Sequence, residues 1–235
     1  CPPTPSRTLI PAHHLLLVTA AAPAAVTAVD LMRLGCELTT VGAVGADEIG
    51  RFLFACLARA GVSTSLLAIL PGEQTAATML TVRSDGERPT FHVRGANAAV
   101  RWADVDAEPL FSCQAVHIGG VDSLVPLGPS SVIDLMGRLR AAGILVSLDF
   151  QASSRFLTAE LAAFLPHCDV FLPNLEQGQG MTGQDDPDDV ADALLSLGAP
   201  AVAVTLGGDG VLYVDASARI RVAGVAVDVV GTTRC

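Results

Sequence analysis

The run Ala201-Val-Ala-Val-Thr205, followed by Leu206-Gly207-Gly208-Asp209-Gly210, carries the clearest chemistry in this 235-residue chain. An apolar, β-branched run that stops at a Thr and a glycine turn is where an open α/β sheet offers backbone N–H groups to a phosphate. The same glycines also suit a tight β-hairpin turn into residues 211–214, so two readings stand at this point. A second cluster, Gly178-Gln-Gly180-Met-Thr-Gly183, matches the dinucleotide fingerprint Gly-x-Gly-x-x-Gly. That fingerprint needs an acidic residue about twenty positions on, at the end of the next strand, to hold a ribose. The next strand ends in Thr205, and Pro173-Asn-Leu-Glu-Gln177 intervenes before the glycines, so no nicotinamide site is expected there. The last residues, Asp228-Val-Val-Gly231-Thr232-Thr233-Arg234-Cys235, end a small-residue turn in a guanidinium. Arg234 has five donors and no acceptor, so it suits an anion and cannot take a proton.

Such residues need a frame, and the chain supplies alternating strand and helix patterns. Residues 51–60 have helical period, with Phe52, Leu53, Cys56 and Leu57 on one face and Gly61 as the stop. Residues 77–82 and 89–93 flank Asp85-Gly86, a hairpin signal. A strand at 115–118 precedes a helix that Ser130 or Ser131 caps and that runs to Arg140, with Ile133, Met136 and Leu139 on one face and Gly143 beyond it. Further strands are expected at 144–148, ending at Asp149, at 169–172 and at 201–204, with a short helix at 158–165 between the first two. Pro187, among Asp185, Asp186, Asp188 and Asp189, opens a helix through Leu197, its carboxylates suiting the positive N-terminal end. This alternation predicts an α/β fold, a parallel sheet with helices on both faces.

Composition narrows the function classes. The chain is 51% hydrophobic and 4% aromatic, which suits one domain with an Ala/Val/Leu-rich core. Its net charge is −10 with only 14 Lys and Arg, so a nucleic-acid or anionic-membrane surface is not expected, and a small molecule is the natural ligand. Six scattered cysteines (1, 36, 56, 113, 168 and 235) form no Cys-x-x-Cys pair and read as thiols of a reducing cytosol. Of the histidines (13, 14, 92, 117 and 167) only His13 and His14 are neighbours, and no metal-ligand spacing appears among them. The apolar run from Leu15 has a thin charged flank and is too short to span a bilayer.

Five motifs in order resemble the ribokinase-like (PfkB) carbohydrate kinases: Gly42-Ala-Val-Gly45-Ala-Asp47-Glu-Ile-Gly50, Gly95-Ala-Asn97, Val170-Phe-Leu-Pro-Asn174, Thr205-Leu-Gly207-Gly-Asp-Gly210, and the tail from Asp228. The resemblance runs from about Pro2 to Cys235 and implies one ribokinase-like domain with a small β lid at about 76–97. It also implies ATP, Mg²⁺ and a small-molecule sugar, and a homodimer formed through the lid. Thr205, Gly207 and Gly210 stand where the family contacts ATP phosphates, and Asn174, which opens its Asn-x-x-Glu motif, and Asp228, which begins its catalytic turn, stand at further cofactor-binding positions. Gly231, Thr232 and Thr233 occupy the anion-hole positions. Asn97 and Asp149 stand at substrate positions.

The departures from the pattern carry as much information. Arg234 stands where the family's catalytic Asp is expected, Gln177 where its Glu is expected, and Ala21-Ala22-Pro-Ala-Ala-Val26 where Gly-Gly-x-x-x-Asn is expected. Loss of a general base typically costs about a hundredfold to ten-thousandfold in rate, so background turnover is expected. A binding module without phosphoryl transfer is the rival reading, and a nucleoside or vitamin kinase the next. The chain begins with Cys, and it is expected to lack the family's first strand and the helix beyond the catalytic turn. An oligomeric or poorly soluble state of the isolated chain would follow.

Overall fold

The computed structural model describes residues 23–80, 90–120, 127–150 and 158–226. Six strands form the central sheet in the order β10-β9-β8-β7-β6-β5. Strands β5 (Ala115–Gly119), β6 (Leu145–Asp149), β7 (Val170–Phe171) and β8 (Ala201–Thr205) run parallel, and β9 (Val211–Asp215) and β10 (Arg219–Val222) extend the sheet antiparallel. Helices α3 (Pro129–Ala141), α4 (Thr158–Phe164), α5 (Leu175–Thr182) and α6 (Pro187–Ser196) fill the crossovers. The sheet is thus mostly parallel and flanked by helices, as the alternation predicts.

Period-2 burial explains the packing. Val146, Leu148, Val202, Val204, Leu212 and Val214 point to one face and join Met136, Leu139, Phe164, Val190 and Leu194 of the helices in a single core. Phe150 lies edge-on to both Phe164 and Phe171, at centroid distances of 5.6 and 5.8 Å. It ties the end of β6 to β7 and α4.

A second unit precedes this sheet. Helix α1 (Pro23–Arg33), β1 (Thr39–Gly45), α2 (Glu48–Arg59) and β2 (Ser63–Leu70) build it, with β1 and β2 parallel and Ala28, Leu57 and Val62 at its centre. Helix α1 lies against both β1 and β5. Strands β3 (Ala77–Leu80) and β4 (Thr90–Val93) pair antiparallel as a separate two-stranded sheet, the hairpin that the sequence predicts. Its turn falls outside the described residues.

Two local expectations need correction, and a third feature takes the structural role left to it. Neither Ser130 nor Ser131 caps α3: Gly128, at φ +73°, is its N-cap and Pro129 its first residue, because the fixed φ of proline suits that position. Strand β7 is only two residues long, although the Asp169 N–H still donates to the Val146 carbonyl at 2.7 Å and the Leu172 N–H to the Leu148 carbonyl at 2.9 Å; the Val146 N–H turns to the Asp169 carboxylate at 2.7 Å. The fingerprint-like glycines lie within α5: a Cβ on Gly178 would stand 2.5 Å from Val190 Cγ1, and Gly183, at φ +72°, ends the helix. Among the described residues, no helix is long and apolar enough to cross a membrane.

Candidate active site

The parallel strands end at one edge, where open α/β sheets bind ligands. Asp149 closes β6 opposite Gly119 of β5, and the Gly120 N–H donates to its carbonyl at 3.1 Å. After β7 the chain passes through Pro173 to Asn174, which makes a parallel bridge to Thr205. The Thr205 N–H donates to the Pro173 carbonyl at 3.0 Å. Asn174 and Thr205 are therefore neighbours across the sheet edge, both exposed.

Asn174 is the N-cap of α5. Its Oδ1 accepts from the Gln177 N–H at 2.8 Å, and Gln177 Oε1 accepts from the Asn174 N–H at 2.9 Å, a reciprocal capping box. Gln177 Nε2 also donates to the Phe150 carbonyl at 2.8 Å. That contact gives the amide at this position a physical reason: a carboxylate keeps the acceptor for Asn174 and loses the donor for Phe150. Gln177 thereby links the end of β6, beside Asp149, to the Asn174–Thr205 pair.

Between β8 and β9 the glycine segment makes a 3₁₀ turn over Gly207–Asp209, so the hairpin reading holds for its backbone. The N–H groups of Leu206, Asp209 and Gly210 are taken up at the turn, and among the described residues no backbone hydrogen bond of the turn uses the N–H of Gly207 or Gly208. Among the described residues, nothing lies within 4 Å of a Cβ built on either glycine. Gly210, at φ +99°, packs so closely that a Cβ would meet the Val222 carbonyl oxygen at 1.9 Å. The hairpin and a phosphate-facing turn are thus compatible in one loop.

Asn97 belongs to a different unit. It sits half-buried in the 3₁₀ turn Gly95–Ala98 that follows β4 and touches β1. Asp228, Gly231, Thr232, Thr233 and Arg234 lie outside the described residues. The described chain ends at Ala226, two residues past Gly224, which packs on Gly208. Among the described residues no three His, Cys, Asp or Glu side chains gather into a metal cluster.

One cluster escaped the sequence reading. Asp47 and Thr75, 28 positions apart, share two hydrogen bonds at the root of the lid, and only the fold brings them together. Asp47 and Gly50 were visible as parts of a motif, but Thr75 had no signal of its own.

The pfkB family carbohydrate kinase profile matches residues 20–233. Probable fructokinase-4 of Arabidopsis thaliana is 30% identical over 221 residues, spanning 90% of this chain and 68% of that protein. An uncharacterized sugar kinase of Archaeoglobus fulgidus is 27% identical over 212 residues, 86% of this chain and 80% of that one. The crystal structure of a PfkB protein from Polaromonas sp. JS666 superimposes with a TM-score of 0.72 at 28% identity, covering 86% of this chain and 72% of that chain. Profile, relatives and fold agree with the order of motifs along the sheet edge: the chain belongs to the pfkB family of carbohydrate kinases.

Proposed function

We propose that this chain binds a sugar and Mg²⁺–ATP at the carboxyl edge of its sheet, and that phosphoryl transfer between them is held near background. The observation that carries the binding half is the Thr205–Gly208 segment. A hydroxyl and two backbone N–H groups lie within four residues of one another, and among the described residues neither N–H has a backbone partner and open space stands where side chains would be. These residues fit a triphosphate. Mg²⁺ fits as an ion carried by the nucleotide's phosphates and water, since it needs only one or two protein carboxylates. When bound, ATP supplies the phosphoryl group and Mg²⁺ neutralises its charge.

The protein's own share is binding and orientation. Thr205 donates its hydroxyl and Gly207 and Gly208 their N–H groups. Asn174, held by Gln177, keeps α5 against the Thr205 strand. Asp149 and Asn97 are assigned to the sugar. The fructokinase relatives favour a ketohexose such as fructose as the probe sugar. Arg234, at the position where a base must accept the sugar hydroxyl's proton, holds anionic oxygen and takes no proton. The apolar lid face formed by Met79, Phe91 and Val93, all at least half exposed, is assigned to a second copy of the chain.

Calorimetric titration of Mg²⁺–ATP tests the binding half. Thr205→Val is expected to weaken binding about threefold to tenfold, the range for one lost hydrogen bond, and to leave the urea midpoint unchanged. Equal affinity of the two proteins contradicts the assignment.

A further inference from the structure

The two lid strands are rooted in one knot of buried and part-buried hydrogen bonds. Strand β3 begins at Ala77, two residues after Thr75, and β4 ends at Val93, two before Gly95. Thr75, 4% exposed, is the one buried polar residue among those described. Its N–H donates to Asp47 Oδ2 at 2.8 Å and its hydroxyl to Asp47 Oδ1 at 2.6 Å. The same hydroxyl accepts from the Gly45 N–H at 2.9 Å. Asp47 Oδ1 also accepts from the Gly50 N–H at 2.8 Å as the N-cap of α2.

The segment 73–76 is gripped from its other side as well. The Ala96 N–H donates to the Gln74 carbonyl at 2.7 Å. Three glycines admit the close approach: a Cβ on Gly45 would stand 2.2 Å from the Glu73 carbonyl oxygen, on Gly50 2.9 Å from Thr75 Oγ1, and on Gly95 2.2 Å from the Gln74 carbonyl oxygen. One short segment thus joins the β1–α2 turn to the turn that bears Asn97.

We propose that Asp47 and Thr75 are a positioning pair for sugar binding, fixing both roots of the β3–β4 lid and, through Gln74 and Ala96, the place of Asn97. The proposal rests on the carbohydrate-kinase reading of Asn97 and the lid. The physical reason is the donor count. The Thr75 hydroxyl both donates to a carboxylate and accepts from a backbone N–H, so its removal leaves the buried Gly45 N–H without a partner. The Thr75 N–H and the α2 cap keep Asp47 in place, so the loss is felt at the lid root and not across the six-stranded sheet.

Hydrogen exchange on the full chain tests this, with Thr75→Val as the near-isosteric loss and Thr75→Ser as the variant that restores the hydroxyl. In Thr75→Val the amides of β3 and β4 are expected to exchange about tenfold to hundredfold faster, with β8 and β9 unchanged, and Thr75→Ser to return them to the original rate. Fructose affinity falls by a similar factor while Mg²⁺–ATP affinity stays the same. Asp47→Asn keeps an acceptor for the Gly50 cap and sets an amide donor against the Thr75 N–H. It is expected to give the same pattern and decides the question if Thr75→Val does not fold. Lid exchange that matches the unmodified chain, or that rises equally in lid and core, overturns the proposal. Absence of fructose binding by the unmodified chain would overturn the sugar reading instead, and the exchange rates would still decide whether the pair anchors the lid.

Discussion

Gly224 and Gly208 meet so closely that a Cβ on Gly224 would stand 2.1 Å from the Gly208 carbonyl oxygen. The segment just beyond β10 is therefore fixed against the glycine loop proposed to bind phosphate. Gly210 repeats the contact, against the Val222 carbonyl oxygen.

This contact separates stability from binding. Gly224→Ala is expected to destabilise the chain by about 1–3 kcal/mol, the usual cost of forcing atoms into a packed site. Gly208→Ala meets open space and is expected to change stability by less than about 0.5 kcal/mol. On the proposed assignment its methyl group crowds the bound phosphate, and nucleotide affinity is expected to fall. Urea denaturation read beside ATP titration checks both halves.

Gln177→Glu restores the acid expected at this position, yet the fold predicts a loss. It places a carboxylate against the Phe150 carbonyl, where Nε2 now donates at 2.8 Å. A lost donor at a part-buried acceptor is expected to cost about 1–3 kcal/mol. Gln177→Met, which removes the amide without adding charge, is expected to cost less. Denaturation midpoints at pH 7 that rank the two variants the other way contradict the account.

Two pH windows are expected in the stability profile. His117 donates or accepts through Nδ1 with Ser147 Oγ at 2.9 Å, and its Nε2 is enclosed with no partner among the described residues. Burial lowers its pKa below the ordinary 6.5. The unfolded chain then binds a proton that the folded chain refuses, so stability falls as pH drops below 6.5, and His117→Gln is expected to remove that slope. Hydrogen bonds from the Thr75 hydroxyl and N–H hold Asp47 down at about 2, and those from Tyr213 and Ser217 hold Asp215 down at about 2. Their contribution is complete above 3.8 and disappears as pH falls through about 2. Asp47→Asn and Asp215→Asn are expected to flatten this lower window in urea midpoints taken across it.

The lid face gives an assembly prediction. Met79 and Phe91 are cross-strand partners, 66% and 68% exposed. Phe91→Lys is expected to convert a dimer to a monomer in analytical ultracentrifugation without altering the midpoint of the isolated fold. A chain that sediments as a monomer before substitution contradicts the lid interface.

Much of the frame was legible because periodicity is a local signal. The apolar runs at 144–148 and 201–204, Pro187 among acidic residues, and Gly61 and Gly143 as helix stops each follow from neighbours in sequence. The α3 start was misplaced because two serines looked like caps while Pro129 had already set the first turn. Contacts across the fold were not legible. The Gln177 donor to Phe150, 27 positions away, and the Asp47–Thr75 pair have no counterpart in local spacing. The glycines at 45, 50 and 95 could be counted in the sequence, but the segment they admit could not be seen there.

Sugar-dependent ADP release by the unmodified chain tests the central claim most directly. With Mg²⁺–ATP binding established by titration, release in the presence of fructose, ribose or 2-keto-3-deoxygluconate is expected to equal the no-sugar control. On the proposed assignment Arg234 takes the position of the proton acceptor, and that loss alone is expected to remove about a hundredfold to ten-thousandfold. ADP release clearly above the no-sugar control with any of the three sugars would contradict it.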